Sequence, residues 1–415
     1  MVSQRARCIG IISHIERSII RKVVQSDMLV SYILSFFLTP TINPIVALPR
    51  PPGPTNVHIT QFALTDESRT DPFAPCCDKP RQLMVSLFQP ANCTQTIDTP
   101  YMPPATAAFY DAQLAVFGIP NGTFEAFHLQ TCPNSPANTD FPLLLFSTGA
   151  GNSRHLYNTI LQWVASTGFN IVSIDHTYDA DIVEFPDGTV ALGANISLPA
   201  NMSTTISVRL ADVSFVLDTL SNTTSTKLLD LPALRTKQVG MFGHSLGGAT
   251  AADAMLNETR IRGGVNMDGT VYGAAVNETD RQPFVIFASQ QHNQSTDATW
   301  AAFWLELKGF KLQLQVNGTA HGSYVDYPIL AKVAGLNRKT NPAIEALIGS
   351  IDGTTILRIL QRYINAFFQQ VLEFRQLPLL QGPSLHFPEV LFQNASYGPT
   401  AEPALMSQRM EVYVD

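Results

Sequence analysis

The sequence predicts an α/β protein with a mostly parallel central sheet and helices on both faces. Three observations carry that expectation. From Asp140 onward, short apolar runs of the fully buried strand type alternate with longer stretches of helical periodicity. Strands that alternate with helices imply parallel pairing, and fully apolar runs suit a sheet covered on both sides. At one junction, Gly243-His244-Ser245-Leu246-Gly247, an apolar strand enters a Gly-x-Ser-x-Gly turn and an Ala-rich helix follows at once.

The elements follow in order. Leu48–Pro54 is a Pro-rich linker, and Val57–Leu64 and Gln82–Phe88 are early strands. A loop-rich stretch bearing cysteines runs to Asp140. Pro142–Phe146 is a buried strand, Arg154–Thr167 a helix closed by Gly168, and Asn170–Ile174 the next strand. Ile182–Leu192 reads as a hairpin around Asp187-Gly188. Ser203–Leu220 carries Ile206, Leu210, Val213, Leu217 and Leu220 at helical spacing. Gln238–Phe242 then leads into the turn at Ser245 and a helix from Leu246. Gly264–Met267, Pro283–Ala288 and Lys311–Val316 complete the strands. Thr354–Arg375 is a long amphipathic helix whose apolar stripe docks onto the domain. Residues 48–415 thus form one domain, with a disulfide-bearing N-terminal part and a helical C-terminal extension.

Composition narrows the function classes. The chain has 415 residues, 45% hydrophobic and 14% charged, with a formal charge of −7. No basic stripe exists to bind phosphate backbones, so nucleic acid is not an expected partner. The apolar balance is compatible with peripheral contact at a lipid interface.

Residues 1–47 read as a leader. Arg5, Arg7, Arg17, Arg21 and Lys22 precede an apolar run from Met28 to Leu38, and Ala47 offers a small residue for cleavage. Eleven residues match a signal h-region and are too short to span a bilayer, although a signal anchor is the competing reading. Export is further suggested by ten Asn-x-Ser/Thr sequons, at Asn92, Asn121, Asn195, Asn201, Asn222, Asn257, Asn277, Asn293, Asn317 and Asn394. Chance would supply roughly three. Beyond Cys8 in the leader, Cys76, Cys77, Cys93 and Cys132 cluster as two disulfides would, with the neighbours Cys76 and Cys77 expected to pair with Cys93 and Cys132. A secreted, glycosylated protein is the expectation.

The chemistry centres on Ser245. The flanking glycines suit a tight strand-to-helix turn in which a Cβ would clash. A serine hydroxyl needs a base, and the base an orienting acid. Active sites of such sheets lie at the carboxyl ends of the strands. His292, His321 and His386 are the histidines after Ser245. His321 follows the last strand across a short turn and is the preferred base; His292, in a polar loop after Pro283–Ala288, is the alternative. Asp268 stands directly after Gly264–Met267 and is the expected acid. The backbone N–H of Leu246 is one oxyanion donor, and that of Ala150, in the loop Ser147-Thr148-Gly149-Ala150-Gly151, the other. Asp175, His176 and Trp300 are candidates for the substrate rim. No metal and no cofactor is expected.

These residues bring out a resemblance. GHSLGGAT at the elbow, VNMDG at the acid, GTAHGSYVDY at the histidine and FPLLLFSTGAGNSRHLYNTILQWVASTGFNIVSIDH resemble the plasma platelet-activating factor acetylhydrolase family, isoform II type, in its secreted lipase-like branch. The likeness runs from about Val57 to Asn394. It implies an α/β-hydrolase fold, a Ser245–His321–Asp268 triad, and metal-free hydrolysis of short or modified acyl esters, including sn-2 acetyl groups of phospholipids. Members often have His-Gly where this chain has Thr148-Gly149, a departure that touches support of the oxyanion loop but not its backbone donors. The position of the acid argues against cutinase-type polyester hydrolases, which carry it after the next strand. A broad carboxylesterase, lipase or polyester hydrolase with the same triad is the first rival, and a non-catalytic hydrolase-fold binding module the second.

Overall fold

The computed structural model describes residues 44–75, 78–134, 140–194, 196, 202–336, 338 and 341–396. Nine strands form the main sheet: β1 (Asn56–Thr70), β2 (Pro80–Ala91), β3 (Pro142–Ser147), β4 (Asn170–Asp175), β5 (Arg235–His244), β6 (Ile261–Met267), β7 (Phe284–Ala288), β8 (Lys311–Val316) and β9 (Val390–Ser396). Their spatial order is β1-β2-β4-β3-β5-β6-β7-β8-β9. The six from β4 to β8 run parallel, while β1, β2 and β9 are antiparallel to their neighbours. The expected α/β-hydrolase architecture is therefore present, extended by β9 at one edge.

Helices cover both faces, as the continuous apolar strands require. Chief among them are α1 (Pro104–Leu114), α2 (Asn158–Ala165), α3 (Met202–Ser221), α4 (Leu246–Asn257), α5 (Ala298–Glu306), α6 (Tyr327–Val333), α7 (Pro342–Ile348) and α8 (Gly353–Leu372). Successive side chains of a strand point to opposite faces, so each buried run feeds two cores. In β3, Leu144 and Phe146 join α2 and α8. Leu143 and Leu145 join α3, α4 and α5 on the other side. The long C-terminal helix docks as expected: its Phe368 ring lies so close to Gly240 that a Cβ there would stand 2.3 Å away.

The sequence left unread a small sheet in which Phe127–Thr131 pairs with Ile97–Pro100 and with Val46–Ala47. Leu48 N–H also donates to the His128 carbonyl at 2.8 Å. Val46 and Ala47, at the end of the expected leader, thus pair with this sheet, where a two-residue strand carries no periodicity to read. Among the described residues no helix is long and apolar enough to cross a membrane.

The cysteine pairing corrects the expectation. Cys93 is bonded to Cys132, with Cα atoms 5.8 Å apart, and neither pairs with Cys76 or Cys77, which lie outside the described residues. The start of β1 explains it. Asn56 donates to the Cys93 carbonyl at 3.2 Å, and Cys132 N–H donates to the Val57 carbonyl at 2.8 Å, so the two cysteines flank one strand end.

Candidate active site

Strand β5 ends at His244 and α4 starts at Leu246, leaving Ser245 between them at φ 53°, ψ −123°. This is a strained backbone for a residue with a side chain, held because everything around it is fixed. Ser245 N–H donates to the Met267 carbonyl at 2.9 Å. A Cβ on Gly247 would lie 2.0 Å from the Ser147 carbonyl, so only glycine lets the elbow sit against β3. Gly269 is required for the same reason, 2.0 Å from the Ser245 carbonyl. Asn266 clamps that glycine from both sides, accepting from its N–H and donating to its carbonyl, both at 2.7 Å.

Asp268 leaves β6 at φ 60° and is 2% exposed. Its Oδ2 accepts from His321 Nδ1 at 2.8 Å. Its Oδ1 accepts from the Ser289 N–H at 2.7 Å and from His292 Nδ1 at 3.0 Å. Burial alone would push this carboxyl up, but the hydrogen bonds from His292 and His321 outweigh it and hold it well below the usual carboxylate range. With Nδ1–H committed to Asp268, the free nitrogen of a neutral His321 is Nε2. The two histidines weighed as rival bases therefore share one acid.

Ser245, Asp268, His321 and His292 line one cleft with Ala150, Leu246, Met202, Thr270 and Tyr272. Neither the Ala150 nor the Leu246 N–H has a hydrogen-bond acceptor among the described residues. The loop that carries Ala150 is held by Tyr157, a residue that no sequence motif marks. The Tyr157 hydroxyl accepts from the Gly149 N–H at 3.0 Å and from Asn152 Nδ2 at 2.8 Å. Its own proton must then go to His244 Nδ1, 2.9 Å away. That fixes the tautomer: His244 Nε2–H donates to the His321 carbonyl at 3.1 Å. Burial, with the nearby His321, depresses the His244 pKa to about 3, so its ring stays neutral. One hydroxyl and one imidazole thus tie the loop after β3 to the loop after β8.

Three expected rim residues are not at the rim. Asp175, His176 and Trp300 are all 0% exposed. Asp175 is ion-paired with buried Arg154. His176 lies between Ser147 Oγ and Asp212 Oδ2, each 2.9 Å away. This Ser147–His176–Asp212 chain has the connectivity of a triad, but Ser147 is 0% exposed and meets no substrate. Asp212 is further bound by Arg81 at 2.7 Å, and Arg209 donates to Ser147 Oγ and to the Thr148 carbonyl. Polar residues at a strand's carboxyl end look like rim positions until distant cations bury them. Trp300 lies beneath His292 and donates its indole N–H to the Gly269 carbonyl at 2.7 Å. Its place is under the acid loop, not along the substrate. The hairpin of Ile182–Glu184 and Val190–Leu192 forms as expected.

Comparison with known proteins points to one family and one fold. The family described as platelet-activating factor acetylhydrolase, isoform II, matches residues 113–185 and 215–378. An Arthroderma benhamiae protein named "Probable 1-alkyl-2-acetylglycerophosphocholine esterase" is 32% identical over 373 residues, covering 83% of this chain and 93% of its own. The platelet-activating factor acetylhydrolase of Cavia porcellus is 25% identical over 267 residues, or 58% of this chain and 60% of that one. Among solved structures, a ferulic acid esterase from Streptomyces cinnamoneus superposes with a TM-score of 0.74 at 27% identity, covering 84% of this chain and 99% of that one. The chain belongs to the platelet-activating factor acetylhydrolase isoform II family and is a carboxylic ester hydrolase of the α/β-hydrolase superfamily.

Proposed function

We propose that Ser245 is the nucleophile, His321 the general base and acid, and Asp268 the orienting acid of a two-step acyl transfer. The observation that carries this reading is the 2.8 Å contact from His321 Nδ1 to a buried carboxylate, in the same cleft as a serine on a strained elbow. Nε2 takes the Ser245 proton as Oγ attacks the ester carbon. The N–H groups of Leu246 and Ala150 receive the developing oxyanion, and Nε2 returns the proton to the leaving alkoxide. Water, deprotonated the same way, then releases the acid from the acyl-enzyme.

The substrate class we propose is short or modified acyl esters, with sn-2 acetyl phospholipids first. The name of the Arthroderma relative supports it. A broader carboxylesterase is the second reading, favoured by the likeness to a ferulic acid esterase. The chain-length profile separates them. Hydrolysis of p-nitrophenyl esters from acetate to palmitate, beside 1-alkyl-2-acetylglycerophosphocholine, should show a short-chain optimum and cleavage of the phospholipid. A long-chain optimum assigns a lipase, and phenyl esters cleaved without the phospholipid assign the broader esterase.

Export and N-glycosylation belong to the same proposal. All eight sequon asparagines among the described residues are exposed or half-buried, which leaves each open to a glycan.

A further inference from the structure

His292 lines the cleft beside the acid. Its Nδ1 is 3.0 Å from Asp268 Oδ1, and its Nε2 is 3.0 Å from Asp297 Oδ2. A neutral imidazole has one N–H, so both contacts can be hydrogen bonds only if both nitrogens carry protons. The ring is also fixed in its plane. It stacks on Trp300 at 3.9 Å and 22°, and the Trp300 indole is pinned to the carbonyl of Gly269, next to the acid. Asp297 is equally constrained, capping α5 through Thr299 N–H at 2.9 Å and Thr299 Oγ at 2.6 Å.

We propose that His292 is a positioning residue for ester hydrolysis: an imidazolium clamped between two carboxylates that holds Asp268 toward His321 and tempers its pull on that base. The proposal rests on the triad reading above. The charged groups against His292 are Asp268 and Asp297, with His321 on the far oxygen of the shared acid. Neutral His244 and buried Tyr324 complete the surroundings of His321 and Asp268. Burial works against protonation of His292, but the two carboxylates prevail and raise its pKa to about 9. A cation at this place repels a second positive charge on His321 and satisfies part of the Asp268 charge. Without them, the full charge of Asp268 would face His321 and favour a proton on that ring.

The test is the pH dependence of kcat/KM on p-nitrophenyl acetate for the full chain, followed at the isosbestic wavelength of the phenol. His292→Gln keeps a neutral donor, and its acidic limb should move upward by about half a pH unit or more, with kcat falling about tenfold. His292→Arg keeps the charge, the flat stack on Trp300 and two donors, and its limb should stay with the wild type. An unshifted limb in His292→Gln overturns the proposal, whatever happens to the rate. Equal losses in both variants with no shift do the same, since that is the mark of a packing role. Ser245→Ala, measured alongside, separates the two failures. If it keeps wild-type activity, the triad reading falls and takes the proposal with it; if it is inactive while His292→Gln is unshifted, only the proposal falls.

Discussion

Replacing Tyr157 with Phe removes one oxygen atom from the bridge between the loop of Ala150 and the loop of His321. The ring would stay, packed on Phe146 at 4.7 Å. Three hydrogen bonds would go: those with the Gly149 N–H, Asn152 Nδ2 and His244 Nδ1. At about 1 kcal/mol net for each, the loss is about 3 kcal/mol, and buried Gly149 N–H without a partner pushes it upward. In a domain of this size each kcal/mol is worth roughly 2 °C, so Tm should fall by roughly 6 °C. The rate should suffer separately. The loop bearing Ala150 loses its anchor, and the His321 carbonyl is held by a His244 ring whose tautomer is no longer fixed. A donor displaced by a fraction of an ångström favours a fall in kcat of about tenfold with little change in KM. Calorimetry together with steady-state hydrolysis of p-nitrophenyl acetate reads both quantities. Unchanged Tm and kcat would show that the bridge carries neither stability nor alignment.

Two further expectations concern stability. The Cys93–Cys132 bond closes a span of 39 residues, for which chain entropy predicts about 4 kcal/mol. Cys93→Ala with Cys132→Ala should lower the guanidinium midpoint accordingly, and an unchanged midpoint contradicts the estimate. The second is the pH dependence of the His292 clamp. Its folded pKa of about 9 lies above the ordinary 6.5, so its stabilisation is complete below about pH 6.5 and is lost as pH rises through 9. Denaturant unfolding should show a gap between wild type and His292→Gln of order 2–3 kcal/mol at pH 6 that closes near pH 10; a gap independent of pH argues that the ring is neutral.

Much of this was legible because strands and turns leave local marks. Lys311–Val316 is a strand at the residues its apolar run marks, and Ser245, Asp268 and His321 stand at the carboxyl ends of strands whose order the alternation gave. What stayed hidden depends on partners far along the chain. His176 reads as a rim residue until Asp212, on a helix of another layer, takes its Nδ1. His292 sits in a polar loop without periodicity, and its meaning comes from Asp268, 24 residues earlier. Tyr157 lies among polar residues at the start of a helical stretch with no motif to mark it; its ring is core, and its hydroxyl ties the two loops. Cys93 and Cys132 are joined by the pairing of β1 with β2, which four cysteines in a row of loops do not specify.

If Ser245 is an activated nucleophile, a fluorophosphonate should find it. The full chain, treated with a fluorophosphonate and digested, should carry a single adduct, on the peptide containing Ser245. Its formation should track the loss of p-nitrophenyl acetate hydrolysis, and Ser245→Ala should neither label nor turn over, with a loss of at least roughly a thousandfold. An active protein that labels elsewhere, or that hydrolyses esters with Ser245 unmodified, would place the nucleophile on another residue.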